Sequence, residues 1–186
     1  MTKQMSTLRI NQETKDLPHF ITLTVIEWID LFTKPNYLQV IQNSLNYCIK
    51  NKDLIVYEYV VMPNHLHLIV KAGPGGDLAG IIRDFKRHTT KEIYQLVELD
   101  TRRYLKNLFS NSFARKEEAD KQIWQRENYP EPIETQHFFE TKQQYIYNNP
   151  VKKLLVDAPE NWLYSSASTR ITGKINLINL ANLPWE

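Results

Sequence analysis

The run Met62-Pro63-Asn64-His65-Leu66-His67-Leu68-Ile69-Val70 constrains this chain more than any other stretch, because it sets two imidazoles two residues apart inside an apolar segment. Successive side chains alternate between the faces of a β-strand, so His65 and His67 point the same way. The flanks favour extended chain: residues 57–62 precede the pair, residues 68–70 continue it, and Met62-Pro63-Asn64 supplies a turn between two strands. Paired neutral imidazoles on one face suit a divalent ion. The competing reading is two surface histidines, or one imidazole satisfied inside a core, and the pair alone does not separate these.

A second segment bears on that choice. Residues 135–144, with Phe138 and Phe139, lead into Tyr145-Ile146-Tyr147-Asn148-Asn149-Pro150, a helical pattern that Pro150 is expected to close. Tyr145 and Asn149, four apart, share a helix face, whereas Tyr147 is rotated by about 200° from Tyr145 and points away. A phenol and an amide oxygen can thus converge on whatever the histidines hold. Two imidazoles and an amide leave positions open for phosphate oxygens and water, which favours a catalytic over a structural ion. The single cysteine, Cys48, excludes an intramolecular disulfide and a cysteine-based zinc site, and fits a reduced cytosolic compartment.

The chemistry expected of such a site is in-line displacement at a phosphodiester, with Tyr145 as nucleophile. A phenol of reference pKa about 10 needs a neighbouring cation, metal or base to attack. The resulting phosphotyrosine ester conserves the bond energy, so strand transfer needs no nucleotide cofactor. Taken alone, Tyr145 reads first as an amphipathic core tyrosine whose hydroxyl reaches solvent.

The order of elements sets the fold class. A polar, flexible N-terminus (1–17) precedes one domain (18–172) and a C-terminal tail (173–186). A strand over 19–29 is followed by a helix over 37–50 and by strands over 54–61 and 66–71. After the Gly73-Pro74-Gly75-Gly76 loop, Asp77 is the expected N-cap of a helix carrying Leu78, Ile81, Ile82 and Phe85. Thr89 with Glu92 forms a Thr-x-x-Glu pattern that suggests a kink or a fresh helix start. Residues 98–121, ending in the mixed-charge run 115–121, read as helix with loop. Residues 123–126 read as a further strand, ended by Pro130 and Pro132, before the tyrosine helix and a closing stretch over 159–170. This is an α+β order of split-βαβ, ferredoxin-like type: a mostly antiparallel sheet with helices on one face and the other face free for the site.

A chain of 186 residues buries a core without staples. No leader pattern opens it and no apolar run approaches the roughly 20 residues that span a bilayer, so a soluble intracellular protein with no membrane partner is expected. The net charge of +2 does not by itself announce a nucleic-acid binder. Locally, Arg83, Lys86, Arg87 and Lys91 sit on one expected helix against Asp84, and can track a phosphate backbone or form a solvated helix face.

Taken together, His65-Leu66-His67, Trp124-Gln125, Tyr145, Asn149-Pro150 and Tyr164-Ser165-Ser166 resemble the single-tyrosine HUH transposase superfamily, and most of all its branch of REP-associated tyrosine transposases. The resemblance runs over residues 19–170 in the same order. It implies a ferredoxin-like palm, His65 and His67 as metal ligands, Asn149 as a further polar ligand, Tyr145 as nucleophile, and magnesium or manganese as the ion. The implied substrate is single-stranded DNA bearing a hairpin, cleaved to a 5′-phosphotyrosine and a free 3′-hydroxyl. Arg83, Lys86, Arg87, Lys91 and Arg126 become expected DNA contacts, in a monomer or homodimer acting at the bacterial nucleoid in the cytoplasm. Two stretches depart from the family pattern: Tyr129-Pro130-Glu131-Pro132-Ile133 replaces an Asp-x-Val/Ile-Ile motif, and Val25-Ile26-Glu27-Trp28 lacks a common Asn-Arg dipeptide. A domesticated hairpin-DNA-binding protein without cleavage, and a phosphoesterase with Tyr145 as bystander, are the alternative functions.

Overall fold

A computed structural model describes residues 10–113, 122–126, 128–174 and 177–185. Strands β1 (His19–Thr24), β2 (Leu54–Val61), β3 (His65–Ala72) and β4 (Glu131–Pro132) form one sheet in the order β2-β3-β1-β4. β3 is antiparallel to both β1 and β2, so β1 and β2 run parallel with β3 between them. Helix α1 (Pro35–Asn51) makes the crossover, which completes the expected split βαβ. Helices α2 (Leu78–Leu99), α3 (Arg103–Phe113), α4 (Gln136–Lys152) and α5 (Ser166–Thr172) follow.

Strand alternation divides the interior in two. Ile21 and Leu23 of β1 and Leu66, Leu68 and Val70 of β3 face one way, into a core with Leu38, Ile41 and Leu45 of α1 and Ile82, Phe85 and Ile93 of α2. Phe20 and Ile69 face the other way, against Phe139, Ile146 and Tyr147 of α4 and Ala167 of α5. His65 and His67 share the face of Ile69. That face is therefore not bare: α4 and α5 cover part of it and frame the rest.

Several local expectations change, each for a tertiary reason. β1 ends at Thr24 rather than running to residue 29, because its partner β3 begins opposite it at His65. Beyond that point Val25 N–H donates to Asn64 O (2.9 Å), Ile26 N–H donates to Ile123 O (2.9 Å), and a 3₁₀ turn, Ile26–Trp28, follows. Residues 123–126 form one isolated bridge, Val25 to Trp124, instead of a strand. α2 passes Thr89 without a break: the Thr89 hydroxyl donates to Phe85 O and accepts from Trp124 Nε1, both at 2.8 Å, so it anchors the tryptophan rather than capping a new helix. Asp77 does occupy the N-cap, but its side chain makes no cap hydrogen bond.

Pro150 does not close α4, which runs on to Lys152. So near the helix end proline's missing N–H removes one intrahelical bond and leaves the closing bonds Lys153 N–H to Asn149 O (3.1 Å) and Leu155 N–H to Pro150 O (3.0 Å) intact. In the C-terminal stretch, Ile178 joins the α1 side of the core and Ala181 N–H donates to Val56 O (2.9 Å). The charge run 115–121 and residues 1–9 lie outside the described residues. Among the described residues, no helix is long and apolar enough to cross a membrane.

Candidate active site

β3 brings the His65 and His67 rings to 4.7 Å between centroids, both buried. α4 lies over them in an orientation set by its own buried side. Its N-cap Thr135 hydroxyl accepts from Phe138 N–H (3.2 Å), and Phe139 and Ile146 pack in the core. On the same side Gln143 Nε2 (2.7 Å) and the Tyr147 hydroxyl (3.3 Å) donate to Oε1 of Glu58, a fully buried carboxylate of β2 that also pairs with Arg170 Nε at 3.4 Å. Desolvation raises the Glu58 pKa against these favourable partners. Tyr147 is thereby committed to the interior, with its phenol pushed up by burial.

Rotated off that side, Tyr145 is 41% exposed and meets His67 edge-on at 5.1 Å between centroids. Phe20 stacks on His67 at 5.3 Å and meets Tyr145 edge-on at 5.8 Å. Asn149, one turn further along α4, is buried. His67 Nε2 and Asn149 Oδ1 are both buried polar atoms without a hydrogen-bond partner. Such atoms cost free energy unless something binds them, and two at one site suit an ion.

The second ring nitrogens are already engaged. Thr22 Oγ1 lies 2.8 Å from His67 Nδ1, and Asn64 Oδ1 accepts from His65 Nδ1–H at 2.7 Å. Asn64 Nδ2 donates to Asp30 Oδ1 (2.8 Å) and to Trp28 O (3.3 Å), so the amide's oxygen must be the atom facing His65. This fixes the His65 proton on Nδ1 and turns the Nε2 lone pair outward. Burial, then the charge of Lys153, lowers the His65 pKa to about 4. Burial, then His65 and Lys142, lowers that of His67 to about 3. Both imidazoles are neutral at pH 7, the form that ligates a cation. Among the described residues no three of His, Cys, Asp or Glu are placed to hold a metal ion, so a third protein donor to the pair has to be of another type, and Asn149, with its buried and unpartnered Oδ1, is the candidate.

A cationic rim lies on α4 itself. Lys142 Nζ sits 4.5 Å over the Phe20 ring and pairs with Glu131 at 2.7 Å, while Lys152 Nζ sits 5.9 Å over the Tyr145 ring. Sequence reasoning passed over these lysines, although Lys142, Tyr145, Asn149 and Lys152 follow the three-and-four spacing of one helix face. The expected α2 cations lie elsewhere. Arg83, Arg87 and Lys91 are exposed on a helix packed against α1, so the sheet stands between them and Tyr145. Lys86 is half-buried and donates to Gln125 O (2.8 Å), and desolvation lowers its pKa to about 8. Arg126 follows Gln125, whose N–H donates to Thr24 O (2.7 Å), which places its backbone at the His65 end of β1.

The profile of the family described as Transposase IS200 like matches residues 17–149. A solved structure of a REP-associated tyrosine transposase bound to a REP hairpin superposes with TM-score 0.66 at 20% identity, covering 96% of this chain and 93% of that one. A crystal structure of a candidate transposase from Deinococcus radiodurans R1 gives TM-score 0.45 at 14% identity, covering 75% of this chain and 95% of that one. No curated protein sequence matches the chain.

Proposed function

This chain belongs to the IS200-like transposase family, and from that premise we propose that it nicks and rejoins single-stranded, hairpin-bearing DNA through a phosphotyrosine on Tyr145. One observation carries the reading: His67 Nε2 and Asn149 Oδ1 are buried and unpartnered beside a tyrosine that reaches solvent. His65, His67 and Asn149 would hold magnesium or manganese, hard enough ions for an amide oxygen and open enough in coordination for phosphate. When bound, such an ion supplies Lewis-acid polarisation of the scissile phosphate and favours the phenolate.

The remaining work falls to the chain's own groups. Tyr145 Oη forms a bond to phosphorus while the bond from phosphorus to the 3′ oxygen breaks. The phenol loses one proton and the departing oxygen gains one, leaving a free 3′-hydroxyl and a 5′-phosphotyrosine. Attack by another 3′-hydroxyl reverses the step and joins strands. Thr22 and Asn64 hold the imidazoles in one tautomer, and Lys142 and Lys152 offset phosphate charge next to the nucleophile. Arg126 is the proposed DNA contact at the site's end of the sheet. Arg83, Arg87 and Lys91, with Lys86 behind them, are proposed contacts for duplex reaching around the far face. The proposed protein is a monomer or homodimer working on nucleoid DNA in the bacterial cytoplasm.

Hairpin-bearing single strands from around its own gene, incubated with and without manganese, test the reading. A tyrosine-linked product on a denaturing gel, lost in Tyr145→Phe, is the expected outcome. Binding without any adduct would identify a DNA-binding protein that has given up cleavage, and turnover without an adduct a phosphoesterase in which water attacks.

A further inference from the structure

We propose that Trp28 is a stacking platform for an unpaired base of the DNA strand beside the scissile phosphate, an inference that rests on the function proposed above. Trp28 is 60% exposed although it lies between the buried Val25 and Ile29, so its indole contributes little to the core. Its ring meets His65 edge-on at 6.0 Å between centroids, which puts the exposed indole at the rim of the candidate metal site.

The backbone that presents it is strained and held. Glu27 and Trp28 adopt φ of 52° and 54°, in the left-handed region that side chains other than glycine rarely occupy. Consecutive residues of this kind persist only where the surroundings over-determine them, and they concentrate at ligand sites. Here the restraints are explicit. The bonds of Val25 to Asn64 and of Ile26 to Ile123 fix the start of the turn. Phe32 N–H donates to Pro63 O (2.8 Å) beyond it, and Asn64 Nδ2 holds the Trp28 carbonyl itself. The same Asn64 amide carries His65 Nδ1, so the indole and the imidazole are registered to each other through one side chain.

Charge selects the part of the strand that fits. Glu27 and Asp30 flank Trp28 in the chain and are both exposed, which makes this turn a poorer place for phosphates than the side of α4 that carries Lys142 and Lys152. A flat, exposed indole beyond the end of a phosphate track accepts the face of an unpaired base, a contact that tolerates any sequence.

The test uses the full chain in chelator, so that nothing is cleaved, and fluorescence anisotropy with a hairpin taken from the DNA flanking its own gene, with and without a short single-stranded flank. Trp28→Ala is expected to weaken the flanked hairpin about tenfold and leave the blunt hairpin within about twofold. Trp28→Phe recovers most of the loss. An abasic nucleotide walked along the flank weakens the wild type by a similar factor at one position and adds nothing in Trp28→Ala. That ratio holds as salt is raised, since stacking releases no counterions. Equal affinity of wild type and Trp28→Ala for the flanked hairpin, or equal losses on both DNAs, overturns the inference while leaving the proposed function standing. Failure of the wild type to bind any hairpin-bearing strand overturns both. Should Trp28→Ala not fold, the abasic walk on the wild type and Trp28→Phe decides alone, with no position-dependent loss overturning the platform.

Discussion

Thr22 Oγ1 sits 2.8 Å from His67 Nδ1 across the β1–β3 ladder, where the two residues are direct partners, so the hydroxyl can take the ring proton and leave the buried Nε2 bare. The near-isosteric Thr22→Val removes that acceptor without changing volume. Partners of this kind typically affect metal affinity 10- to 100-fold. Manganese titration followed by electron paramagnetic resonance is expected to show about that loss, with Thr22→Ser close to wild type. Unchanged affinity in Thr22→Val would remove the hydroxyl from the site's chemistry.

Acid stability follows from the imidazoles. His65 and His67 fall from an ordinary 6.5 to about 4 and about 3 in the folded state. Between those values and 6.5 the unfolded chain binds protons that the folded chain refuses, so stability is full above about pH 6.5 and is lost as pH falls toward 4. Thermal melts in chelator are expected to show this acid limb, and the double variant His65→Gln, His67→Gln to flatten it. His19, also lowered by burial, keeps a share of the slope. Asp100, held well below the carboxylate range by Arg102, Lys34 and Tyr37, adds its own loss only at lower pH. A limb equally steep in the double variant would refute the assignment.

Tyr147 is the other tyrosine of the helix, and its hydroxyl is spent on Glu58. Tyr147→Phe is expected to retain the covalent adduct while costing about 1–2 kcal/mol of stability, read from the urea midpoint, for the lost bond to a buried carboxylate. Glu58→Gln keeps an oxygen for Gln143 and Tyr147 and gives up only the charge that burial already disfavours, whereas Glu58→Ala leaves both donors without their acceptor and costs about 3 kcal/mol. Loss of the adduct in a folded Tyr147→Phe would reopen the identity of the nucleophile.

The two sets of cations are expected to behave differently. Lys142→Gln with Lys152→Gln should flatten the salt dependence of single-strand binding by about 1.4 in log–log slope, about 0.7 for each phosphate no longer neutralised, and lower adduct yield at saturating DNA. Arg83→Gln, Arg87→Gln and Lys91→Gln together should weaken binding of long hairpins with adduct yield at saturation unchanged. A fall in saturated yield in that triple variant would place α2 nearer the chemistry than the sheet allows.

Much of this was legible before folding because it depends on local periodicity. The helix over 37–50 and the strands over 54–61 and 66–71 agree with α1, β2 and β3 to within a few residues, and their order implied the split βαβ. The misread elements are those whose fate rests on a remote partner. β1 stops where β3 starts, Thr89 bonds to Trp124 thirty-five residues away, and residues 123–126 obtain one bridge where a strand was expected.

Sequence alone determined that His65 and His67 share a face and that Tyr145 and Asn149 share another, since the repeats of strand and helix fix side chains relative to their own backbone. Only the tertiary structure decided that the two faces meet. The grip of Glu58 on Gln143 and Tyr147 turns Tyr145 toward His67, leaving His67 Nε2 and Asn149 Oδ1 buried and unpartnered. The same packing put the α2 cations across the sheet and Trp28 beside His65. Distances between segments far apart in sequence follow from how apolar surfaces bury against each other, and no local repeat encodes them.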